Sequence, residues 1–258
     1  RVSYKAWQYL HVLTYVLFFF ILYHSLNVGS HMKDLLMKIL YYGLAILVVL
    51  GIVYRTNYKL KQRKNKFHVK DIRQETHDTF TLVVEPKESV SFKPGQFFFL
   101  RLDGRKLHAR HPFSVSNYKG KELWFTIKDT GRFTKEARNL KQGDEIKIEG
   151  PFGNFVVNNE DSKDLVFIAG GVGITPFMSM IKDNINKSVK RNITLLYGSK
   201  TEKDIIFKKD LDAISGSWFR KVYVLSSEKK DNYEYGRIDE DLLLKYVKDV
   251  RSRKFYIC

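Results

Sequence analysis

Leu165-Val166-Phe167-Ile168-Ala169 runs without a break into Gly170-Gly171-Val172-Gly173-Ile174-Thr175-Pro176. Five apolar residues ending in a cluster of glycines read as a buried strand and a tight turn. Pro176 follows where a helix begins, a place that suits its missing N–H donor, and the helix is predicted over about Phe177 to Asn184. Glycines in such a turn let the backbone approach a pyrophosphate at a helix N-terminus. The spacing is Gly-Gly-x-Gly-x-x-Pro, not the usual dinucleotide fingerprint. On its own the loop therefore fits either a nucleotide or a plain tight turn. Further apolar strands are expected at Ile193–Tyr197, Lys221–Leu225 and Lys254–Cys258. They recur about every 30 residues, the length of a βαβ unit. This half of the chain reads as a parallel sheet with helices on both faces.

Upstream, from Phe67, short alternating stretches take over: Phe67–Arg73, Thr79–Val84, Gln96–Leu102, His111–Ser116, Glu122–Lys128 and Glu145–Glu149. Pro94-Gly95 and Gln142-Gly143-Asp144 punctuate them, and six short strands at this spacing predict a small antiparallel barrel. Three motifs lie within it in order: Lys93-Pro94-Gly95-Gln96-Phe97, then Arg110-His111-Pro112-Phe113-Ser114-Val115-Ser116, then Thr126-Ile127-Lys128 with Gly131 and Phe133-Thr134. A flavin needs aromatic surface beside its ring, a short hydroxyl near its reactive nitrogen, and positive or amide donors on its pyrophosphate. Phe113 offers the first and Ser114 the second. Lys128, the Gly131 turn and a helix start at Thr134-Lys135-Glu136 offer the third.

The first 73 residues concentrate the charge of a basic chain, with 45 Lys and Arg against 28 Asp and Glu and a net charge of +17 over 258 residues. A content of 44% apolar and 14% aromatic residues excludes a disordered chain. The single cysteine, Cys258, excludes a disulfide framework and a cysteine-only metal site. No charged side chain occurs from Ala6 to Met32, and none from Ile39 to Tyr54. Roughly 20 apolar residues cross ~30 Å of hydrocarbon, and Ala6–Val28 and Leu35–Val53 (with Lys38 near its start) supply two such spans. The link Gly29-Ser30-His31-Met32 is short, so the helices are expected to be antiparallel neighbours. A buried soluble hairpin is the alternative. Eight basic residues against one acid between Arg55 and Arg73 fit the positive-inside rule and place Arg55 onward in the cytoplasm, within reach of anionic lipid. That run abuts a span and lacks interleaved aromatic platforms, which disfavours nucleic acid as its partner. The chain starts at Arg1 and stops inside an apolar run, so it reads as a fragment.

His11 and His24 lie within the first span. Each fits two readings: an axial ligand of haem iron, or a hydrogen-bonding group against a neighbouring helix. Thirteen residues separate them by ~20 Å along the axis and turn the helix by about 220°. Ligating two haems would need a local bulge, or haems approached from different angles, and each would need a second ligand from elsewhere.

Flavin motifs followed by the glycine loop resemble the ferredoxin-NADP reductase superfamily, whose flavin domain usually carries Arg-x-Tyr-Ser. His111-Pro112-Phe113-Ser114 is similar to its membrane branch, the NADPH oxidases and ferric reductases of prokaryotic type, the two spans included. The resemblance implies residues 1–54 as transmembrane helices of a partial haem-binding bundle, 55–66 as a basic linker, 67–158 as an FAD-binding β-barrel and 159–258 as an NAD(P)-binding α/β domain. It implies His111, Pro112, Phe113, Ser114, Thr126, Ile127, Lys128, Gly131 and Thr134 around FAD. For NADPH or NADH it implies Gly170, Gly171, Gly173, Thr175, Pro176, Ser199, Lys200, Arg237 and Cys258. Ser114 and Cys258 would stand beside the reacting centres. A histidine in place of arginine gives the phosphate no full charge at neutral pH, so Arg110 or Lys128 would take that part. Haem b on His11 and His24 would then carry electrons from cytoplasmic NAD(P)H to an external acceptor, oxygen yielding superoxide or a ferric chelate. A membrane-docked flavin reductase without haem is the other reading. The sequence contains no nucleophile–base triad, zinc motif or internal repeat.

Overall fold

The computed structural model describes residues 4–28, 34–64, 66–102, 107–158, 163–188 and 190–258. The chain divides into two units, Arg1–Lys64 and Asn65–Cys258.

In the first unit, α1 (Tyr4–Val28) and α2 (Leu35–Lys64) form a helical hairpin. Tyr9–Val28 and Leu35–Tyr58 are long and apolar enough to cross a membrane. Half-buried Met37, Tyr41, Ala45, Val48 and Ile52 recur at three- and four-residue steps and mark the seam of the hairpin, while most other side chains face outward. Arg55 reaches the Tyr15 hydroxyl at 3.4 Å. The basic run, expected as a linker, continues α2 to Lys64. Arg, Lys and Gln are good helix formers, so charge alone gave the chain no reason to stop. The 29–33 link lies outside the described residues. α1 is unbroken, so it lacks the bulge that would bring His11 and His24 onto one face.

In the second unit, β1 (Lys66–Thr76), β2 (Thr79–Pro86), β3 (Phe97–Leu102), β4 (Leu107–Lys119), β5 (Glu122–Lys128) and β6 (Glu145–Phe152) close a barrel in the order β1-β2-β5-β4-β3-β6. All pairs are antiparallel. Alternation sends Phe80, Leu82, Val84, Phe98, Leu100, Val115, Phe125 and Ile127 into one buried core. Each such side chain contributes about 1.5–3 kcal/mol on leaving water, which fixes the register because a one-residue slip would expose them all. Short α3 (Arg132–Arg138) adds Phe133 and Ala137 to that core.

The remaining chain forms a parallel sheet, order β10-β9-β8-β7-β11. Its strands are β7 (Leu165–Gly170), β8 (Ile193–Ser199), β9 (Phe219–Leu225), β10 (Glu234–Tyr235) and β11 (Lys254–Ile257). One face is covered by α4 (Ile174–Asn186) and α5 (Lys208–Ala213), the other by α6 (Glu240–Tyr246). α4 starts earlier than the sequence pattern predicts, so Thr175 and Pro176 lie inside its first turn. Proline loses nothing there, because first-turn N–H groups have no intrahelical partner.

α4 also seats the barrel on the sheet. Gly95 donates its N–H to the Ser179 hydroxyl at 2.9 Å. Gly95 has φ +96°, and a Cβ there would lie 2.1 Å from the Phe155 carbonyl oxygen. The Pro94-Gly95 turn thus needs glycine for both conformation and space.

Candidate functional site

The glycine loop is pinned from behind. Gly170 N–H donates to the Cys258 carbonyl and Cys258 N–H to the Ile168 carbonyl, both at 3.0 Å. A Cβ on Gly173 would come 2.5 Å from that Cys258 carbonyl oxygen, whereas one on Gly170 or Gly171 would meet open space. The loop is therefore tight on the protein side and clear on the other, as close approach by a ligand requires.

In front of it opens a cavity of about 430 Å³. Gly170, Gly171, Ser199, Lys200, Arg237 and Cys258 line it from the parallel sheet, and Asp78, Thr79 and Lys128 from the barrel. Six of the nine residues expected around the nucleotide thus share one cavity. Gly173, Thr175 and Pro176 do not line it, and lie behind it in the turn and first turn of α4. Ser199 carries a fully buried hydroxyl beside the buried Tyr197 phenol. The side chains of Lys200 and Arg237 are exposed, and neither pairs with a carboxylate among the described residues. An open glycine loop and two exposed cations suit the phosphates of a pyridine dinucleotide. Partial burial holds the Cys258 thiol above its ordinary pKa, so it stays neutral and is not an activated nucleophile.

The flavin half is built differently. Ser114 and Pro112 pair across to Phe97 and Phe99, while Phe113 and His111 pair with buried Phe98 and Leu100. Period-two alternation puts Phe113 and Ser114 on opposite faces of β4. Phe113 and His111 stack on Phe133, at 5.9 and 3.9 Å. Burial lowers the His111 pKa, so the imidazole is neutral at neutral pH. Ile127 lies in the core and Thr126 binds the Thr81 and Ser116 hydroxyls at 2.8 Å. Only their backbone is available to a cofactor. β4 pairs with β5 as far as Val115 opposite Phe125, so β5 from Thr126 to Lys128 carries its ladder on the β2 edge.

Both cations expected on the flavin pyrophosphate have partners. Lys128 pairs with Asp78 at 2.9 Å and faces the dinucleotide cavity. Arg110 pairs with Glu149 and lies over the Phe99 ring. The Thr134 hydroxyl accepts from the Thr130 and Gly131 N–H groups and so closes the turn before α3. Gly131 leaves that turn open, a Cβ meeting nothing within 4 Å. Asp78, Thr79, Asp204 and Ser226, all lining the cavity, are absent from the sequence expectations. They sit in turns or at strand ends with no motif around them.

His11 and His24 are exposed on α1. His11 Nδ1 is 3.0 Å from the Trp7 carbonyl oxygen and its ring stacks on Trp7 at 3.8 Å, leaving Nε2 free to ligate or to hydrogen-bond. No cluster of metal-ligating side chains occurs among the described residues.

An antiparallel barrel seated on a parallel sheet, with a cavity at the join fronted by the glycine loop, is the architecture of a two-domain FAD- and NAD-binding oxidoreductase. Residues 66–157 match the oxidoreductase FAD-binding domain and residues 167–258 the oxidoreductase NAD-binding domain. Cytochrome b5 reductase 4 of Rattus norvegicus is 29% identical over 71% of this chain and 39% of its own length. Flavohemoprotein of Bacillus subtilis is 26% identical over 72% and 50%. The solved ferredoxin NADP+ reductase from Neisseria gonorrhoeae with bound FAD and NADP superposes with a TM-score of 0.65 at 25% identity, covering 76% of this chain and 85% of that one. The chain spans half or less of the length of these two curated relatives. It belongs to the ferredoxin reductase-like superfamily of FAD- and NAD-binding oxidoreductases. Membership of the membrane branch is a finer statement than these matches carry.

Proposed function

We propose that the chain is a membrane-anchored NAD(P)H-dependent flavin reductase. A pyridine nucleotide binds against the glycine loop, FAD lies on the barrel beside Ser114, and electrons leave singly for an acceptor. FAD supplies the exchange of a two-electron hydride for single electrons. The protein contributes binding, orientation and exclusion of water, and no acid–base residue is required. The observation that carries this reading is the cavity shared by barrel and sheet, fronted by a glycine loop that is clear on its outer side. The hairpin supports anchoring through two helices of spanning length, with the basic continuation of α2 on the cytoplasmic side. Lys200 and Arg237, with no carboxylate partner, favour NADPH over NADH. Haem iron is the favoured class of acceptor, since the relatives' names join such reductases to a cytochrome and to a haem-containing protein.

The finer reading places two haems on His11 and His24 and sends electrons to oxygen or a ferric chelate. Its support is the pair of exposed imidazoles on an apolar helix. About 220° of rotation between them on an unbroken helix favours the simpler reductase. Purified protein in detergent should be yellow and bleach anaerobically with NADPH. A Soret band lost in His11→Leu and His24→Leu would bring the haem reading back. A colourless protein that leaves NADPH unoxidised would sink both.

A further inference from the structure

We propose that Tyr197 is a positioning residue for the pyridine nucleotide, its buried hydroxyl locking two walls of the cavity together. The inference rests on the functional reading above and adds to it a residue that touches no ligand. Tyr197 lies in β8 between Ala169 and Tyr223 of the neighbouring strands and is fully buried. Its hydroxyl donates to the Gly171 carbonyl at 2.9 Å and accepts the Ile206 N–H at 3.2 Å. Gly171 and Ile206 both line the cavity, from the glycine loop and from the turn after β8.

The core does not need that oxygen. A phenylalanine would keep the ring contacts, and a hydroxyl is buried without loss only when it is hydrogen-bonded. What the oxygen does is directional. C=O and N–H point opposite ways in a planar trans peptide. Holding the Gly171 carbonyl down toward Tyr197 therefore fixes where the Val172 N–H points. Gly171 has φ +50° and no side chain, and its carbonyl takes one bond from the Ile174 N–H inside the loop and a second from Tyr197 outside it. On the other wall, Ile206 precedes Phe207, a non-glycine residue at φ +60°. Such a conformation persists only when its surroundings over-determine it. One phenol hydroxyl thus ties the glycine loop to a strained turn.

The test is Tyr197→Phe in the whole chain with FAD bound. NADP+ and ADP-ribose, titrated calorimetrically, should bind about tenfold more weakly, the effect of one lost hydrogen bond. KM for NADPH should rise in parallel, with kcat at saturation and FAD content within twofold of the parent. The Ile206 amide should exchange faster with deuterium. Affinity and KM within twofold of the parent would overturn the proposal, even with a lowered Tm, because packing alone would then explain the residue. Should the variant fail to fold, exchange in the parent decides: a protected Ile206 amide that gains protection with NADP+ supports the proposal, and an unprotected one overturns it. A parent that binds no pyridine nucleotide takes down the functional reading itself, a different result from either.

Discussion

The two halves of the site treat their polar groups in opposite ways. On the nucleotide side, Lys200 and Arg237 are exposed and pair with no carboxylate among the described residues. On the flavin side, Lys128 is held by Asp78, Arg110 by Glu149, and Thr134 by its own turn. A dinucleotide can thus enter a cavity already shaped for it and improve what it finds. A flavin pyrophosphate reaching for Lys128 or Arg110 must displace a carboxylate first. The nucleotide side is preorganised, while the flavin side must exchange internal ion pairs for ligand contacts, which costs affinity unless contacts to the flavin ring offset it.

The sharpest way to break this comparison is Gly173→Ala. The new methyl group would meet the Cys258 carbonyl, a backbone atom that cannot swing aside. Overpacking of this kind costs about 1–3 kcal/mol. Here it should also push the loop into the ligand's space, cutting NADP+ affinity more than about tenfold. β5 touches this turn, so the FAD content of the same variant reports how far the disturbance spreads into the barrel. Calorimetry with NADP+ and the flavin absorbance of the same sample read both, and joint loss would mean that the halves are not independent.

Next in size is the double variant Lys200→Ala with Arg237→Ala. Charge-assisted hydrogen bonds contribute about 1.5–3 kcal/mol when dry, less on an exposed rim. KM for NADPH should rise roughly tenfold while KM for NADH moves little. Equal changes for the two nucleotides would assign these cations to the shared pyrophosphate rather than to the 2′-phosphate.

Why the sequence disclosed the strands better than the site follows from what each depends on. Glu122–Lys128 is observed where alternation puts it, and the other barrel strands differ only at their ends, because inward and outward positions are local properties of the chain. Two-residue β10 is too short to show a period. The opposed faces of Phe113 and Ser114 were legible, since period two alone separates them. Tyr197, Asp78 and Asp204 were not. Tyr197 reads as one more apolar strand residue, and Asp78 and Asp204 occupy turns whose meeting depends on how barrel and sheet seat together. The glycine loop was legible because close backbone approach demands glycine whatever surrounds it.

The smallest expected effect tests the engaged side through Asp78. Desolvation pushes its pKa up, but hydrogen bonds from Lys128, Thr79 and Thr76 outweigh that and bring it to about 2, against an ordinary 3.8. Because the folded value lies below the unfolded one, the folded state binds fewer protons between them, and stability rises with pH across that window. The gain is complete above about pH 4 and disappears as pH falls through about 2. Asp78→Asn should therefore cost about 1 kcal/mol at neutral pH after allowance for solvent screening. The gap in Tm from the parent should close as pH drops from 4 toward 2, and a gap that persists undiminished would mean that Lys128 is held by something other than the Asp78 charge. With Lys128 released, the FAD dissociation rate should fall if that lysine is the cation a flavin pyrophosphate must win. An unchanged rate would leave Lys128 with the dinucleotide cavity it faces and hand the flavin phosphates to the backbone of the Gly131 turn.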